Sequence, residues 1–436
     1  MVLDESIVSN LYTLPSPLWR RIANVLLCPP RYRAQAVGQG TGRNLVPIAL
    51  LLLVGASGCG PAGQVDHGVR GMQPVSIPAN RKTPMAGVFA PVPLSNRYAY
   101  VGIANPPAIE RVDLVAGKVL DTIPLAGGIP WAIAITPNGH TAYVTESRFA
   151  SSNGPGSNRT DDVVPIDIAT DKVGAPIRVG LGPISIAISP DGRTAYVANM
   201  GTSHTDRGRM VVADDYTVTP IDTSTNRPGR SIYVGPGPGA VAVSPDGNTL
   251  YVALTGTPGT PSYDVVPVDL RTRKIARAIH VGVAPMAIAI TPDGKTAYVA
   301  DTGWPQIKGD TVTPIDIATG RAGNPIRVGD APFSIAITPD GETAYVVNNN
   351  YSRGTRFTVT PIDIASNTPE KPIVVGMGAY FITISPDGHT AYVLNMASFP
   401  NVAGNTMTPI DTRTNTTEPA IQVGSDPVSM AFLPSR

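Results

Sequence analysis

The sequence predicts an all-β fold, a seven-bladed β-propeller with four antiparallel strands per blade. Three observations carry that reading. A stretch ending in Tyr-Val returns seven times, six of the returns contain a tight-turn tetrapeptide, and no helical 3.6-residue pattern runs through residues 86–436.

The copies are ITPNGHTAYV (135–144), ISPDGRTAYV (188–197), VSPDGNTLYV (243–252), ITPDGKTAYV (290–299), ITPDGETAYV (337–346) and ISPDGHTAYV (384–393), with a worn copy, VPLSNRYAYV (92–101), ahead of them. Their tyrosines, Tyr100, Tyr143, Tyr196, Tyr251, Tyr298, Tyr345 and Tyr392, are spaced 43, 53, 55, 47, 47 and 47 residues apart. Periods of this length built from short strands belong to propellers, not to helical solenoids.

Within one unit the first strand alternates Ile with Ala, as in Ala287–Ile290, which suits a strand covered on both faces. Thr-Pro-Asp-Gly then predicts a tight hairpin: Pro presets φ, Asp bonds back to nearby N–H groups and Gly accepts positive φ. The second strand is Thr-Ala-Tyr-Val-Ala. After a loop of variable length comes the third, Thr311–Asp316, and after a Thr-Gly turn the fourth, Asn324–Gly329. The third strand carries a Pro in six units (Pro165, Pro220, Pro267, Pro314, Pro361, Pro409). Pro cannot donate to a ladder, so each should face away from a partner or mark a bulge.

The repeat resembles the YVTN family of β-propellers of bacterial and archaeal cell surfaces, over roughly residues 90–433. That resemblance implies an architectural repeat with no catalytic set travelling on it. The chain ends in Val423–Phe432, a lead-in and first strand with no Tyr-Val after it. Residues 428–432 are therefore expected to supply the innermost strand of the blade begun by 98–103, which removes exposed sheet edges.

Residues 1–58 read as an N-terminal extension and signal peptide, 59–85 as a flexible Gly/Pro/polar tether, and 86–436 as the propeller. Leu45–Ala56 is an apolar run too short for a spanning helix and suited to a signal-peptide core, with Arg43 on its positive flank. Ala56-Ser-Gly-Cys59 resembles the lipobox of bacterial lipoproteins, which implies lipidation of Cys59. Ala56 stands where that motif usually has Leu, so ordinary signal-peptidase cleavage remains a rival, as does a buried apolar strand. Val37 is an alternative translation start that would give a leader of conventional length.

Composition narrows the function. Charged residues make up 15% and the formal charge is +1, with no block of Lys/Arg, which argues against nucleic acid as a partner. Cleavage before Cys59 leaves 28 Lys/Arg against 30 Asp/Glu, so the net charge offers nothing to hold the mature chain on anionic lipid. With only Cys28 and Cys59 there is no disulfide framework.

Recognition is expected on the loops between second and third strands, which vary while the turns do not. The candidate ligand-binding residues are Trp304, Tyr351, Arg353, His204, Arg207, Asn349 and Phe399, because aromatics and Arg dominate contact energies; the rival reading is that these aromatics cover blade edges. No catalytic, metal or cofactor set is expected. Asp191, Asp246, Asp293, Asp340 and Asp387 read as turn formers, and one histidine on the loop face makes no metal site. The expectation is an exported, lipid-anchored, monomeric envelope module that binds an envelope protein or glycan without catalysis. The alternative is a lactonase-like propeller hydrolase with an axial metal.

Overall fold

The computed structural model describes residues 94–147, 161–206, 209–213, 215–257, 260–304, 307–349, 356–398 and 402–434. The N-terminal extension, Leu45–Ala56, Cys59 and the tether lie outside the described residues, as do Arg207, Tyr351, Arg353 and Phe399.

Seven antiparallel sheets form the blades of a propeller, numbered 1 to 7 in chain order, with the inner strands succeeding one another around a closed ring. Blade 1 comprises Tyr98–Asn105, Pro107–Asp113 and Lys118–Pro124, and its innermost strand is the C-terminal Ser425–Phe432. The register pairs Tyr100 with Ala431 and Val101 with Met430, as the unpaired first strand at the chain's end predicts. Burying Val428 and Met430 stabilises this seam by roughly 1.5–3 kcal/mol each. Ser429 adds a hydrogen bond of 2.6 Å to the carbonyl of Pro130 in blade 2.

Each Pro-Asp-Gly turn is tied by its own aspartate. In blade 5, Asp293 Oδ1 accepts from the Thr291 hydroxyl at 2.6 Å and from Lys295 N–H at 3.0 Å, and Gly294 takes φ 71°. These bonds hold the Asp293 carboxyl down at about 2. The aspartates of Pro-Ile-Asp do the same for the outer turns; Asp316 accepts from both the amide and the hydroxyl of Thr319 at 2.7 Å.

The outermost strand differs from the continuous Asn324–Gly329 expected. In blade 5 it is two short pieces, Arg321–Ala322 and Ile326–Arg327, and blades 2, 3, 4, 6 and 7 show the same split. The cause is the third-strand proline. Pro314 lies opposite Tyr298 on its inner side, and on its outer side its carbonyl accepts from Gly323 N–H at 2.7 Å while its nitrogen has nothing to donate. Blade 1 is the internal control. Arg111 takes the proline's place opposite Tyr100, and the outer strand there runs unsplit over Lys118–Pro124.

Three of the repeated tyrosines, Tyr143, Tyr298 and Tyr345, join blades by hydrogen bonds. Tyr298 donates to Asn367 Oδ1 at 2.6 Å, and Tyr345 to Asn415 Oδ1 at 2.7 Å and to the Thr412 carbonyl at 3.0 Å. Both asparagines lie in the outer turn of the next blade, where φ is positive (56° and 54°). Burial pushes the Tyr298 hydroxyl up to about 12.

Two outcomes follow. Deletion of 425–434 is expected to abolish cooperative thermal unfolding, and a truncated chain that melts like the full one overturns the closure. Tyr345→Phe is expected to lower stability in urea unfolding by about 1–2 kcal/mol, because both acceptors lose their donor. Burial raises the Tyr345 pKa as well, so the stability its hydroxyl contributes is complete below pH ~10 and is lost as pH climbs above that, and the variant should also soften alkaline unfolding.

Candidate functional site: the loop-bearing face

The links between second and third strands rise on the face opposite the Pro-Asp-Gly turns. Several are ordered β-arms where irregular loops were expected. Second and third strands extend to Thr257 and Thr260 in blade 4, to Trp304 and Ile307 in blade 5, and to Ser398 and Val402 in blade 7. In blade 3 a separate ribbon pairs Thr202–Asp206 with Arg209–Ala213. Blade 1 stays low, turning over Asn105–Pro106 between its strands.

Beneath the arms, the third residue after each repeated tyrosine is Ile103, Glu146, Asn199, Leu254, Asp301, Asn348 or Asn395. The asparagines Asn199, Asn348 and Asn395 each donate to two third-strand threonines, and Asn348 also holds the incoming link. Asn348 donates to Thr358 and Thr360 hydroxyls at 3.1 and 2.9 Å and accepts from Gly329 N–H at 3.1 Å. Asp301 reverses the polarity of that arrangement. It accepts from Thr311 and Thr313 hydroxyls at 2.9 and 2.7 Å and from Gly282 N–H at 3.1 Å. Threonine hydroxyls can donate or accept, so one frame serves either side chain. Gly282 must be glycine here, since a Cβ would fall 2.4 Å from the Asp301 carboxyl. Asp301 is fully buried, and desolvation pushes it up to about 6 despite those three bonds.

Blade 2 gathers Glu146, Asp161 and Asp162, all buried. Asp161 accepts from Ser147 and from Gly182 N–H, both at 3.2 Å, and Asp162 pairs with Arg178 at 3.3 Å. Burial, then the neighbouring Asp161, raises the Asp162 pKa against the opposing pull of Arg178. Among the described residues, no group of three or more His, Cys, Asp or Glu side chains is placed to hold a metal ion.

Around the axis, every inner strand carries a bulge within three residues of its start on this face. The bulged residues are Trp131, Ile184, Gly239, Met286, Phe333, Tyr380 and Val428. With Gly239 adding no side chain and Val428 buried in the seam, the other five make an apolar and aromatic collar. Phe333 and Tyr380 have ring centroids 4.5 Å apart, and Met286 Sδ lies 3.1 Å from the Thr255 hydroxyl of blade 4. Sequence reasoning missed this collar. Its signal is one position, directly after a Pro or Ala near the start of the inner strand, where residue type changes from blade to blade.

Of the residues expected to bind, His204 lies in the blade 3 ribbon opposite Val211, and Trp304 ends the second strand of blade 5. The arm of blade 4 stands between those blades. Asn349 is buried, and its amide donates to the Ala379 carbonyl of blade 7 at 2.8 Å. Thr255 and Thr302 make the equivalent bonds to Pro285 and Pro332. Two shallow depressions of about 230 and 190 Å³ lie on the opposite face, beside His389 and Asp411 and beside Asp293 and Lys295.

The architecture defines a seven-bladed β-propeller. No family model and no curated protein matches the sequence. Among solved structures, Kuenenia stuttgartiensis hydrazine synthase is 22% identical, over 69% of this chain and 88% of that one, with a TM-score of 0.55. A functionally unknown protein from Desulfotomaculum acetoxidans is 16% identical, over 78% and 100%, at 0.60. A candidate 6-phosphogluconolactonase from Bacteroides fragilis is 16% identical, over 79% and 99%, at 0.57. At such identities the likeness concerns the fold alone.

Asp301→Asn tests the arrangement beneath the arms. With a folded pKa near 6 and an unfolded one near 4, the native state holds the extra proton, so wild-type stability should fall by roughly 2–3 kcal/mol as pH rises through that window. The variant should lose that slope and be the more stable protein at pH 7. Denaturant melts at pH 4, 5, 6 and 7 check it; parallel slopes would refute it.

Proposed function

We propose that this chain is an exported, lipid-anchored propeller of the YVTN type that acts at the cell envelope by binding, with recognition on the loop-bearing face. The observation that carries this reading is a division of labour. The repeated Tyr, Asn and Asp side chains are engaged in bonds internal to the disc, whereas arm length and collar residue change from blade to blade. Variable segments on a rigid scaffold are where binding sites are usually built. An aromatic collar at the axis suits a partner that brings an apolar side chain or the face of a sugar ring. Trp304 and His204 on the arms, with Tyr351, Arg353, Arg207 and Phe399, supply the surrounding contacts, and Asn349 braces the base.

Leu45–Ala56 followed by Ser-Gly-Cys59 supports the export and anchoring part of the reading. Mass spectrometry of the N-terminus of protein from its native membrane is expected to find diacylglyceryl-cysteine at 59; an unmodified terminus there would remove the anchor. Pull-down from envelope fractions is expected to lose partners in the Trp304→Ala/Tyr351→Ala double variant, and unchanged partners would dismiss the arms. One equivalent of Ca, Mg or Zn in the purified protein would favour the hydrolase instead.

A further inference from the structure

Net charge conceals a segregation that the ring creates on the face of the Pro-Asp-Gly turns. Blades 3, 4 and 5 present Arg227, Arg271, Arg273, Lys274, Arg277 and Arg321 there or on the adjoining rim, all exposed. None of the six makes an ion pair among the described residues. Lys274 and Arg321 stand opposite Asp269 and Asp316 in register; those carboxylates accept from Thr272 and Thr319 and stay charged, so the turns of blades 3 to 5 (190–193, 222–230, 245–248, 269–277, 292–295 and 316–323) hold nine Lys/Arg against six Asp, an excess of positive charge.

Equivalent positions elsewhere in the ring carry the other sign. The last turn residue is Arg193 in blade 3 and Lys295 in blade 5 but Glu342 in blade 6. Where the outer strand splits, blades 6 and 7 begin the gap with Glu370 and Glu418, against Gly229, Ala276 and Gly323 in blades 3 to 5. At the positive-φ position of the outer turn, blade 4 has Arg273 and blade 2 has Asp171. The segments that carry them adjoin across blades: Gly229 of blade 3 lies near the Arg273 guanidinium of blade 4, and Ile279–His280 of blade 4 lies against Arg321–Ala322 of blade 5.

The chain also enters the disc on this face. The helical turn Leu94–Arg97 is held by Asn96 donating to Asp387, in the blade 7 Pro-Asp-Gly turn, at 2.8 Å, and by Arg97 pairing with Asp113 at 3.0 Å. Cys59 precedes Leu94, the first described residue, by 35 positions in the sequence.

We propose that the basic sector of blades 3 to 5 docks on an anionic bilayer surface, turning the loop-bearing face away from the membrane. The choice of a bilayer over other polyanions rests on reading Cys59 as the anchor. A lipid anchor brings this face close to headgroup phosphates, and each Lys or Arg near such a surface adds about fivefold to the partition coefficient. The loops are thereby left free for the partner.

The test uses the full chain with Cys59→Ser, so that no lipid can be attached and its outcome is independent of the anchor, which N-terminal mass spectrometry judges separately. Cosedimentation is measured with vesicles of phosphatidylcholine containing 30% phosphatidylglycerol, and with phosphatidylcholine alone. Arg271→Glu/Lys274→Glu/Arg277→Glu is expected to weaken binding to the anionic vesicles about a hundredfold, and 0.5 M NaCl to abolish it. Arg273 is left in place because its φ of 57° makes substitution structurally risky. Arg227→Glu/Arg321→Glu provides a second, independent set, and Lys371→Glu/Arg413→Glu, outside the sector, should bind as the parent does. Matching melting curves certify that all variants fold. Equal binding to both vesicles, equal loss in the outside pair, or no loss in either sector variant overturns the proposal. So does tighter binding to a short DNA duplex than to anionic vesicles, since the sector would then serve nucleic acid.

Discussion

The disc depends on one antiparallel pairing, in which Ser425–Phe432 completes the sheet that Tyr98–Asn105 begins. Every blade buries both faces against neighbours, so an open ring would leave two faces bare and two inner edges unpaired. Closing a loop of more than three hundred residues costs only slightly more entropy than closing a short one, because the penalty grows with the logarithm of length. The burial of Val428 and Met430 and the bond from Ser429 to blade 2 oppose that cost. The seam therefore holds for the same reasons as the other interfaces, although its two strands come from opposite ends of the domain.

Given closure, the repeated residues have defined duties. Tyr143, Tyr298 and Tyr345 reach the next blade's outer turn, Asn348 and Asp301 fasten the arm to the link, and the two families of Asp close the turns. Each duty ends inside the disc, which is why the repeat is indifferent to function. Asp301 shows how narrow the tolerance is. A carboxylate can stand in an asparagine's frame only because threonine hydroxyls rotate from acceptors to donors, and the burial that suits the amide then raises the acid's pKa.

The sequence made the blade count, the turn chemistry and the closing strand legible, because each rests on a local signal: Tyr-Val spacing, Pro-Asp-Gly, and a first strand lacking its second. Three features were not local. The split outer strand follows from Pro314 and its equivalents acting on residues across a sheet, and only the contrast with Arg111 isolates the cause. The arms of blades 4, 5 and 7 were read as loops because these stretches vary from repeat to repeat, yet the strands continue through irregularities near Gly256, Gly303 and Met396. The collar was hidden because Trp131, Met286, Phe333 and Tyr380 resemble ordinary core residues until seven bulges place them around one axis. Asn349 was singled out as an exposed contact, and what the sequence withheld was its burial against the next inner strand.

Charge shows the same limit in another form. Along the chain, Arg271–Arg277 is a short basic run of four Lys/Arg in seven residues, but Arg227, Lys274 and Arg321 are separated by 47 residues each, so no window of sequence contains the whole sector. A ring with a 47-residue period places such positions side by side, and the acidic substitutions in blades 6 and 7 leave the opposite sector negative. Potential at a surface is set by what lies within about a Debye length, ~8–10 Å, not by the sum over the molecule. A nearly neutral propeller can therefore present a basic sector on the face through which its chain enters, while its variable arms stand on the other. The fold thus gives the molecule two chemically distinct faces, and the repeat sets how far apart they are held.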